Sequence, residues 1–121
     1  MRRSTIILAA LLIATAAVAH GTTKGANGGP QVHTGDMHIE MVASDAALAV
    51  YLRDDSDKPI AADGSKAVGI FVVEGKPLRI ELQPGGANKL TGVSTVPLPA
   101  DLKGAVRITL PSGKTVRAKF E

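Results

Sequence analysis

Residues 77–84 read PLRIELQP, and within them Leu78, Ile80 and Leu82 alternate with Arg79 and Glu81. A strict period of two commits a segment to an extended strand with one face buried and the other wet. The period recurs along the chain. Met37, Ile39 and Met41 alternate with His38 and Glu40, and Leu48, Val50 and Leu52 share one side of ALAVYLRD. Val106, Ile108 and Leu110 do the same in GAVRITL, as do Val116, Ala118 and Phe120 in KTVRAKF. KAVGIFVVE is apolar more continuously, as expected of a strand with neighbours on both sides, and KLTGVST completes the set. Turn-forming residues separate these runs: Ser44-Asp45, DDSDKP, ADGS, Glu74-Gly75-Lys76, PGGAN, PLPAD and Pro111-Ser112-Gly113. The pattern predicts an all-β domain over residues 36–121: a small antiparallel immunoglobulin-like β-sandwich of roughly seven strands, with a small barrel as the alternative. Two hairpins are expected, one turning at Ser44-Asp45 and one at Pro111-Ser112-Gly113.

The front of the chain obeys different rules. Met1-Arg2-Arg3 is a short positive region, residues 6–18 are apolar apart from Thr15, and Ala17-Val18-Ala19 provides small residues for cleavage. These are the three marks of a secretory signal peptide. Residues 1–19 are therefore expected to be removed, exporting the chain to the periplasm with His20 as its first residue. The apolar run is too short for a spanning helix, so no stable membrane anchor is expected after cleavage. Residues 20–35 are rich in Gly, Thr and Asn, show no apolar period and read as a flexible arm.

Charge and composition then exclude several classes of function. Loss of Arg2 and Arg3 brings the formal net charge of +3 close to neutral, and the chain has three aromatic residues, Tyr51, Phe71 and Phe120. Neither supports nucleic-acid binding. There is no cysteine, so disulfides, thiolate metal sites and thiol chemistry are excluded. No serine lies in a nucleophile motif, and the Gly28-Gly29 and Gly85-Gly86 pairs lack the strand-to-helix setting of a phosphate loop. The chain is not expected to be an enzyme.

The remaining concentration of chemistry is imidazole. All three histidines, His20, His33 and His38, fall in residues 20–38. If His20 is the mature N-terminus, its α-amino and ring nitrogens form a chelate suited to Cu(II) or a similar divalent ion. His33 or His38 would add a further nitrogen across the arm. Glu40, two residues from His38 on one strand face, would add an oxygen. The expected metal ligands are thus His20, His33, His38 and Glu40. Met37 and Met41 could suit Cu(I), but their phase with Ile39 assigns them to the core. Asp54, Asp55 and Asp57 could hold calcium. They lack the glycine and distal glutamate of an EF-hand, and a solvated turn is the expectation.

The run AHG, then GG, then GDMHIEMV, then LAVYLRDDSDKPI resembles small uncharacterised periplasmic proteins of proteobacteria, and also segments near the N-terminus of periplasmic adaptor subunits of heavy-metal efflux systems. The shared features fall on His20-Gly21, Gly28-Gly29, Gly35 with His38 and Glu40, Tyr51-Leu52 with Asp54, and Lys58-Pro59. Met41 stands where leucine is usual, and Thr22-Thr23-Lys24 stands where a second histidine often follows the first. Copper-resistance binding proteins of the periplasm are a more distant likeness, through a mature chain that can begin with histidine. The resemblance implies heavy-metal handling, with efflux components as partners. The functional expectation is an exported binding module for Cu(II) or a similar divalent ion. The alternative is a structural or protein-interaction domain whose sheet edges pair with a partner and whose histidines are incidental.

Overall fold

The computed structural model describes residues 22–121. The expected signal segment and His20 lie outside them. The described chain forms nine strands: β1 (Thr23–Lys24), β2 (Pro30–Thr34), β3 (Met37–Ser44), β4 (Ala47–Asp54), β5 (Lys66–Val73), β6 (Lys76–Pro84), β7 (Lys89–Val93), β8 (Lys103–Thr109) and β9 (Thr115–Phe120). All pairings are antiparallel. The strands belong to one sheet in the order β1-β2-β3-β4-β7-β6-β5-β8-β9.

The predicted strands from residue 36 onward are present as β3 to β9. β5 sits between β6 and β8, in keeping with its continuous apolar character. Both expected hairpins form, with Ser44 facing Ala47 and Thr109 facing Thr115. Two expectations change. The sheet is continuous rather than divided into two layers, because β6 serves both halves: residues 76–82 pair with β5, while Gln83 and Pro84 pair with β7. Hydrogen bonding therefore runs round the bend, and the sheet curls into a half-barrel whose far strands, β2 and β9, approach each other. The Thr34 hydroxyl donates to the Arg117 carbonyl across that approach at 3.0 Å. Secondly, residues 22–35 are not a bare arm: they supply β1 and β2.

Curling directs one face of every long strand inward. Met37, Ile39 and Met41 of β3 meet Leu48, Val50 and Leu52 of β4 there, with Phe71, Ile80, Leu82, Val106, Ile108 and Ala118 from the other half. Met37 and Met41 are buried, as their phase with Ile39 predicted. Phe71 is the largest fully buried side chain, and its ring lies over Gly69 of the same strand. A Cβ at Gly69 would fall 2.3 Å from the ring edge. That close approach accounts for a glycine in mid-strand. Glu74 and Gly75 both have positive φ in the two-residue connection of β5 and β6, the geometry that matches the twist of paired strands.

Candidate functional site

β2 and β3 are joined at Gly35-Asp36, with Thr34 facing Met37 across the turn. Gly35 has φ 60°, a left-handed value that costs glycine little. The two-residue connection fixes the register, and the register sets His33 directly opposite His38. Their rings meet edge to face, with centroids 4.9 Å apart and planes at 80°. His33 is exposed and His38 half-buried. The sequence-predicted pair is therefore brought together.

His38 has a second partner. Its Nδ1 lies 2.6 Å from Asp57 Oδ1. An ionised carboxylate only accepts, so the proton of this bond belongs on Nδ1, which leaves Nε2 with its lone pair in the neutral ring. Asp57 owes its position to its neighbour: Asp54 Oδ1 accepts the amides of Ser56 and Lys58, each at 2.9 Å. The resulting tight loop carries Asp57 at φ 63° and returns to β4 through a bridge between Arg53 and Pro59. The sequence had suggested only a carboxylate cluster here. The link from Asp57 to His38 spans 19 residues and has no local signature.

Glu40 does not join the histidines. It is fully buried, and its carboxylate is enclosed by the β1–β2 turn. Glu40 Oε2 accepts the amides of Asn27 and Gly29, both at 2.9 Å, and Oε1 accepts Asn27 Nδ2 at 3.1 Å. Arg53 completes the set from β4, with Nη1 3.0 Å from Oε1. The Arg53 side chain is itself almost buried, and its guanidinium lies 5.9 Å from the centre of the Tyr51 ring. A carboxylate so enclosed has no oxygen to offer an ion, which corrects its expected role as a ligand. The surrounding glycines are equally committed. A Cβ on Gly25 would stand 2.2 Å from the Glu40 carboxyl carbon, and one on Gly29 would stand 2.2 Å from the Met41 carbonyl oxygen. Asn27, Gly25 and Arg53 are the participants that sequence reasoning missed.

Among the described residues no three His, Asp or Glu side chains converge to hold a metal ion. Of the expected ligands the fold brings His33 and His38 together, with Asp57 on His38 Nδ1; His20 lies outside the described residues. No family model, curated protein or solved structure matches the chain.

Proposed function

We propose that the chain is an exported, periplasmic binding module for Cu(II) or a similar divalent heavy-metal ion, held at the tip of the β2–β3 hairpin. The observation that carries this reading is the facing pair His33 and His38 with ring centroids at 4.9 Å. Two nitrogens each about 2.0 Å from one ion lie at most about 4 Å apart, within reach of rings so placed. The carboxylate behind His38 supports it further. A ligand histidine is commonly oriented by a carboxylate on its other nitrogen, and Asp57 holds that position. The proposed third donor is His20, through its ring and, if export ends in cleavage after Ala19, its α-amino group. Glu40 is left out. Delivery to efflux components rests on the resemblance of the His20 to Pro59 motifs to adaptor segments. The alternative, a structural or interaction module, is favoured by one observation: Glu40, the most enclosed polar group of the motif, serves the fold.

The test is calorimetric titration of the processed protein with Cu(II), Zn(II) and Ni(II). His33→Ala and His38→Ala should each weaken binding by at least about tenfold, with Asp57→Asn also weaker, as expected for the partner of a ligand. One residue added before His20 should weaken Cu(II) binding sharply, and lower pH should do the same through competing protons. If both histidine variants and the extended protein bind as the parent does, the histidines are incidental and the interaction-module reading replaces this one.

A further inference from the structure

The outward face of β6, β5, β8 and β9 carries a pattern that the metal reading does not use. Along the middle of β5 run Val68, Ile70 and Val72; Ile70 is 47% and Val72 60% exposed, although they lie in the interior strand of a sheet. Basic residues surround this strip on the same face: Lys66, Arg79, Lys103, Arg107, Arg117 and Lys119. Within these four strands the face has a single acid, Glu81, which stands 3.5 Å from Arg79 with both side chains exposed. Glu121, just past β9, reaches Lys119 at 2.7 Å. The chain's aspartates lie elsewhere, in turns and connections, except for Asp54 at the end of β4.

Two of the three arginines on this face, Arg107 and Arg117, are in no internal ion pair among the described residues. They are direct cross-strand neighbours, an arrangement of like charges that costs stability. Two shallow depressions, of about 420 and 380 Å³, lie side by side on this face, and both are lined by Val68, Arg79 and Arg107. Each offers guanidinium donors above an aliphatic floor.

We propose that this face docks on an anionic lipid bilayer. Lys and Arg stems carry their charges outward from an apolar base, so the rim reaches phosphate groups while Ile70 and Val72 enter the layer beneath. That is the arrangement of surface-bound amphipathic elements, in which apolar burial and attraction to anionic lipid act together. Phosphodiester groups settle between Arg107 and Arg117 and relieve their repulsion. The face has no aromatic side chain, which disfavours a single-stranded nucleic acid as the occupant.

The absence of cysteine from the chain allows a local test. Val72→Cys carries an environment-sensitive fluorophore on the face, and Val93→Cys, at the exposed end of β7, carries it as a control. Both keep the same N-terminus, so any attachment through residues 6–18 is common to the pair. With phosphatidylglycerol vesicles the Val72 label should brighten and shift to the blue, while the Val93 label and pure phosphatidylcholine vesicles show no change. Arg107→Glu with Arg117→Glu should weaken the response by about tenfold or more, and raising salt from about 0.05 M to about 0.5 M should reduce it. Circular dichroism checks that the variants are folded. A Val72 response equal for the two lipids, or absent with both, overturns the proposal. An equal response to soluble polyglutamate also overturns it and assigns the face to an acidic polypeptide.

Discussion

At Glu40 the carboxylate has exchanged its water for donors from Asn27, Gly29 and Arg53. Burying a charge is tolerable only when partners replace the lost hydration. Removing one side leaves the others stranded, so Glu40→Gln should lower stability by roughly 3 kcal/mol in urea unfolding. Glu81→Gln, on an exposed side chain, should stay within about 0.5 kcal/mol. Equal losses at the two positions would mean that the β1–β2 turn does not enclose Glu40. The glycines around the site separate two physical causes. Gly29→Ala drives a methyl group into the Met41 carbonyl oxygen and must displace the turn, at a cost of about 2 kcal/mol. Gly35→Ala meets nothing within 4 Å but keeps φ at +60°, so it should lose only about 1 kcal/mol, from backbone strain alone. Thermal unfolding of the two variants should rank them in that order; the reverse ranking would place the close contact elsewhere.

At the scale of the element, β6 is the clearest test of strand phase. Ile80 is 1% exposed while Arg79 faces water. Ile80→Asp places an unpaired charge in the core and should cost several kcal/mol, whereas Arg79→Ser should change stability by less than about 0.5 kcal/mol. Similar effects at both would mean a shifted register. This phase was readable because alternation is a local property, and β3, β4, β6, β8 and β9 each carry their own. β1 and β2 were not readable for the converse reason. Residues 25–29 are glycine, alanine and asparagine, a composition shared with linkers, and what orders them is the Glu40 carboxylate, itself held by the Arg53 guanidinium. The candidate site was half legible. His33 and His38 were singled out, but their exact apposition depends on the Gly35-Asp36 turn, and Asp57 arrives from a distant loop.

For the whole molecule, far-UV circular dichroism of the processed protein should be dominated by strand, since no helix occurs among the described residues. The strand order lay beyond the sequence pattern: nothing in KLTGVST says that it inserts between β4 and β6, and alternation specifies which side chains face inward without specifying how many layers enclose them. The curled sheet also has to manage its last strand. β9 presents Arg117 and Lys119 along its border, and charged side chains on an edge discourage pairing with other copies.

The dependence of the β1–β2 turn on Glu40 and Arg53 has a consequence in time. The residues synthesised first among those described should take up their positions only after β3 and β4 have paired, because the Glu40 carboxylate that holds them lies on β3 and is itself paired with Arg53 of β4. The N-terminal turn should thus form late in maturation and be lost early in unravelling. Hydrogen–deuterium exchange resolves the two halves of that statement: the amides of Asn27 and Gly29 should be protected in the native protein despite lying in a turn, and during refolding their protection should lag behind that of Ile39 and Leu52. Simultaneous protection of all four would show that the turn and the hairpin are acquired as one unit.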